Sequence, residues 1–483
     1  MKLRPSIAIL TVALAVLSPT LLGQQRFPPP EFEKTYTMPT TATPAASATW
    51  AEYVDLAVLV LALAAGSFLA IRARYRGAIV ALGVAALLYF GFYRGGCVCP
   101  IGAIQNVSMA LFGVGYAVPL AVVAFFVLPL LTALFFGRTF CGAVCPLGAT
   151  QDLLVVRPIR VPTWLEHSLG MLPWVYLAAA VVFAATGSAM IICRYDPFVS
   201  IFRMLPIGKM LSGWARRDPA LVPEDLAGRL DTLLLAGSFL AIGLFVARPY
   251  CRFFCPYGVL LGLLSKLSWW KVTVTPTDCI HCRLCEDACP FGAILKPTAE
   301  IPPRHRLRGK TALAIALAVL PVLVLAGGVT GGLMGGLMAR AHPVVALADR
   351  VRQEADGTVE GTTVESDAFR SSGRPAAELY AEARGIEKMF VSHWSFGGSA
   401  PPPAKPAATA GGWTFGAAHL FGAFVGLAIG LKIISLSVRR TRRDYVPDRA
   451  KCVACGRCFA HCPVEHARRN GTPVKLPAEK TDS

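Results

Sequence analysis

Cys279, Cys282, Cys285 and Cys289-Pro290 form a run that recurs with the same spacing as Cys452, Cys455, Cys458 and Cys462-Pro463, and between the two lie apolar segments long enough to cross a bilayer. A fold for this chain must bring two short cysteine loops together past that membrane hairpin, or leave each loop half-built. The C-x₂-C-x₂-C-x₃-C-P spacing wraps three corners of a [4Fe–4S] cube within one tight loop and sends its fourth cysteine to a second cube. The expected ligand sets are therefore Cys279, Cys282, Cys285 and Cys462 for one cluster, and Cys452, Cys455, Cys458 and Cys289 for its neighbour. A zinc ribbon is the competing use of clustered cysteines. It takes two C-x₂-C pairs and has no need of four cysteines followed by proline.

With 483 residues, 54% hydrophobic and only 16% charged, the chain is too apolar for an ordinary soluble protein and belongs in a lipid bilayer. The net charge of +18 does not mark a nucleic-acid binder, because the arginines collect at the ends of apolar segments, where they set membrane orientation. Residues 1–23 have a basic start and an apolar stretch, and read as an export signal or N-terminal anchor. Residues 24–50 are a Pro/Thr/Ala linker, expected outside the cytoplasm.

The expected fold is an all-α polytopic membrane protein of about seven spans, carrying a split dicluster ferredoxin domain. The spans are expected at 52–71, 78–93, 116–136, 171–192, 231–247, 311–334 and 413–437. Five of them make a membrane domain over 51–270, followed by the first half of the ferredoxin domain at 271–310. A sixth span within 311–339, a periplasmic loop at 340–410 and a seventh span within 411–438 lead to the second half and tail at 439–483. If the linker lies outside, the alternation delivers Arg72, Arg74 and Arg76, the loops 138–160 and 248–310, and the tail from Arg439 to the cytoplasm. These are the most basic loops, as the positive-inside rule demands. One loop, 194–230, falls outside despite a small excess of basic residues. Both cysteine runs thus land on one face of a bacterial inner membrane. Within the outer loop, 366–390 has apolar residues at helical spacing and is expected as a surface helix, with Trp394-Ser395-Phe396-Gly397-Gly398 as an interfacial anchor.

A second motif occurs three times at the ends of apolar segments. Gly137-Arg-Thr-Phe-Cys141-Gly-Ala-Val-Cys145-Pro-Leu-Gly148-Ala-Thr-Gln151-Asp152 matches Tyr93-Arg-Gly-Gly-Cys97-Val-Cys99-Pro-Ile-Gly102-Ala-Ile-Gln105-Asn106, less two residues between the cysteines. Ala247-Arg-Pro-Tyr-Cys251-Arg-Phe-Phe-Cys255-Pro-Tyr-Gly258 is the third copy. Proline after the second cysteine suits the first turn of a helix, whose free N–H groups favour a thiolate or an anionic cluster. Cys141, Cys145, Cys251 and Cys255 share the inner side and could hold a third iron–sulfur cluster, copper or a redox disulfide; packing is the alternative. Cys97 and Cys99 fall on the outer side with Cys193. With Asp196 they could hold a further centre, Cys193 could form a disulfide with one of the others, or all three could simply pack. A layer roughly 30 Å thick is too wide for one electron jump, so a carrier through it needs stations on both sides.

Paired Cys-x₃-Cys-Pro motifs after spans, with a split pair of ferredoxin runs, resemble the NosR/NapH family of membrane ferredoxins over about 78–310 and 413–465. The resemblance implies electron transfer between quinol or cytoplasmic donors and a periplasmic reductase. The flavin domain of the NosR type has no counterpart in the short linker, so any FMN would come from a partner subunit. A second class of function is a metal-reducing assembly factor, with copper as the metal, for a respiratory enzyme. His419 lacks a facing histidine for haem. The pairs Gly327-Gly328, Gly331-Gly332 and Gly335-Gly336 suit close helix packing or a subunit contact. No Rossmann fingerprint, P-loop or hydrolase triad appears.

Overall fold

The computed structural model describes residues 49–96, 99–112, 118–187, 193, 196–204, 230–275, 279–298, 303–391, 416–438 and 441–472. The N-terminal signal, most of the linker, Cys97 and the Trp394–Gly398 stretch lie outside the described residues. Apolar runs of Leu, Ala and Val without charge become helices throughout. Five are long and apolar enough to cross a membrane: Trp50–Ala73, Arg76–Tyr93, Thr163–Thr186, Gly309–Leu333 and Ala417–Ser437. The expected spans at 116–136 and 231–247 appear as shorter helices, Leu120–Phe136 with Pro129 inside it and Leu230–Gly243. Each Cys-Pro of the threefold motif starts a helix at its proline: Pro100–Phe112, Pro146–Leu154 and Pro256–Ser265.

The last two spans pack backbone to backbone. A side chain added at Gly422 would overlap the Gly327 carbonyl, and one at Gly331 the Ala418 carbonyl, so these glycines seat one helix on the other within the chain. His419 lies over Gly332, and its Nδ1 accepts from the Gly416 N–H at 3.3 Å. Beyond the hairpin, Pro343–Ala355, Val364–Ser371 and Ala376–Val391 enclose a second core of Val345, Val351, Phe369, Leu379, Ile386 and Phe390. The single surface helix expected at 366–390 is thus two helices. Gly373, in the left-handed region at φ +69°, and Pro375 separate them.

The residues flanking the two cysteine runs meet. Ile294–Leu295 pairs antiparallel with Val446–Pro447, in register Ile294↔Pro447. Cys285, Phe291, Ala293, Tyr445, Val453 and Phe459 are buried in one core that continues into the helical bundle. Arg74, at the end of the first span, holds both parts. Its guanidinium donates to Thr273 Oγ1 and the Val274 carbonyl, each at 2.7 Å, and to Glu465 Oε2 at 2.9 Å, and it lies over the Phe459 ring. Arg74 and Glu465 are both buried. A charge expected to serve only membrane orientation is therefore also a docking contact.

Candidate iron–sulfur sites

Both cysteine runs curl in the same way. His281 and Ala454 follow their first cysteines by two residues, Arg283 and Gly456 by four, and all four have positive φ, between 55° and 77°. Three of these are not glycine, and that conformation is held against its steric cost in each loop. In the second run the Ala454 N–H faces Cys452 and the Arg457 N–H faces Cys455, so backbone donors meet the sulfurs where an anionic cluster would sit.

Proximity sorts the eight cysteines across the two runs. Cys285 lies within electrostatic reach of Cys279, Cys282 and Cys462, while Cys458 lies within reach of Cys452, Cys455 and Cys289. The fourth cysteine of each run therefore stands beside the other run's triplet. Burial first, then neighbouring thiols, pushes Cys285 up to about 12; burial does the same to Cys452, also to about 12. Uptake of a cluster must displace those protons.

Cys141, Cys145, Cys251 and Cys255 also gather, with Cys255 in reach of the other three. The two hairpins that carry them clasp each other reciprocally. Arg248 of the second hairpin, fully buried, donates to Asp152 of the first at 2.9 Å and 2.5 Å and to the Cys141 carbonyl. Gly148 leaves room for it: a Cβ there would sit 2.8 Å from the Cys141 carbonyl and 3.3 Å from Arg248 Nη1. Arg138 of the first hairpin reaches across to Gly258 of the second, where a Cβ would stand 3.1 Å from its Nη2. Four residues after Gly258, however, Gly262 stands where the first hairpin has Asp152. Arg138 donates instead to the Ala450 carbonyl of the second cysteine run's loop, at 2.8 Å. Gly142 abuts the Val453 carbonyl so closely that any side chain would overlap it. The quartet thus lies directly under Cys452 and Cys455, with Arg138 facing Cys452 and Arg248 facing Cys455. Two buried guanidinium groups between two groups of sulfurs offset the negative charge that thiolates or clusters bring.

Gln151 completes the hairpin: its Oε1 accepts from the Tyr250 N–H at 3.3 Å and its Nε2 points at Cys251 Sγ, 3.7 Å away. The roles of Asp152, Gln151 and Glu166, which pairs with Lys451 at 2.8 Å, were not legible as functions in the sequence. Gln151 and Asp152 are nevertheless part of the repeated motif, and that repetition is the available signal.

In the outer group, Cys99 lies within reach of Cys193 and Asp196. Tyr176 is in reach of Cys99, Cys193 and Asp196 on one side and of Cys255 on the other. The outer group is therefore separated from the quartet by aromatic side chains, close inside the bundle. Among the described residues no three His, Cys, Asp or Glu side chains converge on a single metal ion. A cubane holds its thiolates on separate iron corners, farther apart than the ligands of one ion.

A family model described as a 4Fe-4S binding domain matches twice, over 118–163 and 229–274, which are the two clasped hairpins; a second 4Fe-4S binding domain model matches 272–295. The chain is 31% identical over 155 residues to protein NirI of Paracoccus denitrificans, covering 32% of this chain and 20% of NirI. It is 28% identical over 199 residues to YccM of Escherichia coli K12, a protein named for electron transport, covering 40% of this chain and 52% of YccM. An uncharacterised protein of Methanocaldococcus jannaschii, MJ0749, is 35% identical over 66 residues, 14% of this chain and 27% of that one. The chain thus spans about half or less of each of these relatives. No solved structure matches. The molecule is a helical protein with 4Fe–4S binding domains and apolar helices of membrane-crossing length, similar over part of its length to NirI and to YccM, the one named for electron transport.

Proposed function

We propose that this protein is a membrane electron-transfer subunit whose cysteine groups hold iron–sulfur clusters in a row, from the ferredoxin runs into the helical bundle. One observation carries the reading: the groups Cys279/282/285/462, Cys452/455/458/289 and Cys141/145/251/255 are successive neighbours, the last two bridged by Arg138 and Arg248. A bound [4Fe–4S] cluster takes up and returns one electron with no change of ligands. The protein's part is to hold and insulate. Cys-Pro helix starts and left-handed loop residues aim N–H groups at the sulfurs, buried arginines balance charge, and the Phe291, Val453 and Phe459 core excludes water. The donor set of four thiolates per group suits iron–sulfur clusters.

In this reading the ferredoxin runs face the cytoplasm of a bacterial inner membrane, since the loops that share their side are the most basic. The partners are a quinone or cytoplasmic donor and a periplasmic reductase or FMN-binding subunit, the roles that the NosR/NapH resemblance and the likeness to YccM support. The test is paired substitution read by EPR of the reduced, anaerobically purified protein. Cys462→Ser and Cys285→Ser, in different runs, should perturb the same signal; Cys289→Ser and Cys458→Ser should perturb the other. In vesicles, the protein should carry electrons from entrapped reduced viologen to external ferricyanide, and Cys141→Ala or Cys255→Ala should abolish this while leaving both ferredoxin signals. Signals grouped by run instead of across runs, or full transfer in both quartet variants, would refute the reading.

A further inference from the structure

The outer group repeats the quartet's construction with one donor exchanged, and this deepens the proposed function, on which it rests. In the quartet, the residue before each helix-starting proline is a cysteine in extended conformation: Cys145 at φ −67°, ψ 118° and Cys255 at φ −63°, ψ 109°. Cys462-Pro463 has the same form, at φ −85°, ψ 117°. Asp196-Pro197 repeats it at φ −89°, ψ 121°. The surrounding sequence agrees, since Cys193-Arg-Tyr-Asp196-Pro-Phe is Cys251-Arg-Phe-Phe-Cys255-Pro-Tyr with one aromatic residue removed. Asp196 thus stands where Cys255 stands.

Its partners match as well. Gly102 N–H donates to Cys99 Sγ at 3.3 Å, as Gly258 N–H does to Cys255 Sγ at 3.3 Å. Gln105, six residues after Cys99, contacts Cys193 Sγ at 2.7 Å through Oε1; Gln151, six residues after Cys145, faces Cys251 Sγ. The Gln105 amide is fully buried and its Nε2 has no hydrogen-bond partner among the described residues. Turning that amide over, an exchange of nearly equivalent atoms, would aim Nε2 at Cys193 Sγ as Gln151 aims at Cys251. A thiol donates to an oxygen, but a metal-bound sulfur only accepts, so the turned amide is the one a ligand sulfur requires.

The second observation is Asp196 itself. It is 0% exposed; Oδ1 accepts from the Phe198 N–H at 3.1 Å, and the Tyr250 hydroxyl is its side-chain hydrogen-bonding neighbour. A carboxylate can accept about four hydrogen bonds, and with two donors this buried one still carries a desolvation cost that ligation to a metal removes.

We propose that Asp196 is a carboxylate ligand, with Cys99 and Cys193, of a further iron–sulfur centre inside the bundle. Cys97 lies outside the described residues. The hard oxygen donor favours iron over copper(I), which prefers an all-sulfur set, and so also separates an electron carrier from a copper-handling factor. One corner iron held by oxygen would be more labile than its thiolate-held neighbours.

The experiment is iron and acid-labile sulfide analysis with EPR on the anaerobically purified full chain carrying Cys193→Ser, Asp196→Ala or Asp196→Cys. Cys193→Ser should lose about four irons per chain, one cubane, with the ferredoxin and quartet signals unchanged. Asp196→Ala should lose about one iron, leaving the oxidised-state signal of a three-iron centre; Asp196→Cys should keep wild-type iron and shift that centre's reduction midpoint. If Cys193→Ser and Asp196→Ala both keep wild-type iron and spectra, there is no centre here. If only Cys193→Ser loses iron, the centre exists and Asp196 is not its ligand. Should Asp196→Ala misfold, seen as loss of the ferredoxin signals too, Asp196→Cys decides: an unchanged midpoint overturns the proposal. Wild-type protein lacking the ferredoxin irons would instead sink the function on which this rests.

Discussion

The hairpins at 137–154 and 247–265 are near copies in sequence and clasp each other reciprocally, yet their buried arginines end on different partners. Arg248 finds Asp152 in the opposite hairpin, while Arg138 finds Gly262 at the matching place and turns to the Ala450 carbonyl. The repeat builds the cysteine quartet; the break in the repeat docks the loop of Cys452 on it. A single acid-for-glycine difference thus separates a structural ion pair from a contact that joins two cysteine groups.

Removing the ion pair should do the most damage. Arg248→Met would strip the charge from a fully buried site and leave Asp152 and the Cys141 carbonyl without a donor, at a cost of about 3–5 kcal/mol. Thermal unfolding in detergent should show it, together with loss of the quartet's iron. A variant that unfolds like wild type would mean the clasp does not hold the site.

Making the hairpins alike is the sharper test. Gly262→Asp would offer Arg138 the acid that Arg248 already has and set a carboxylate beside the Ala450 carbonyl. The charged hydrogen bond it displaces is worth about 1.5–3 kcal/mol. Hydrogen exchange should speed up over 448–456 and stay unchanged in the first hairpin. Uniform protection in both would remove the docking role from Arg138.

The glycines that admit the arginines should differ too. Gly148→Ala would set its Cβ 2.8 Å from the fixed Cys141 carbonyl, while Gly258→Ala would meet the end of the Arg138 side chain at 3.1 Å and the Cys251 carbonyl no closer than 3.4 Å. We expect a cost of about 1–3 kcal/mol at 148 and a smaller one at 258, compared by unfolding midpoints. The reverse order would contradict the packing described. The least effect belongs to the rim. Lys451→Ala breaks a half-exposed pair with Glu166 worth about 1 kcal/mol or less, and that loss should vanish at high salt.

What could be read from the sequence follows from what spacing encodes. Cysteine intervals, proline-started helices and apolar runs are local, and the structure forms helices over the apolar runs and sets Cys285 near Cys462 and Cys458 near Cys289. The span lengths were less legible, because Pro129 and the short run at Leu230–Gly243 leave two helices shorter than a bilayer on their own. Contacts between distant charges were not legible at all. Arg74, read as an orientation signal, binds Glu465, and nothing local in either residue announces the other. Asp196 was visible only as a nearby donor, since one missing residue hides its match to Cys255 until the backbone is compared.

The most direct test of the central claim, a row of iron–sulfur sites running from the cysteine runs into the bundle, is metal and sulfide analysis of anaerobically purified wild-type protein with EPR after reduction. We expect about twelve irons per chain for the two ferredoxin groups and the quartet, before any at Asp196, with matching sulfide and interacting reduced-cluster signals. Zinc in place of iron with no reducible signal, or iron that stops at about eight per chain, would contradict it.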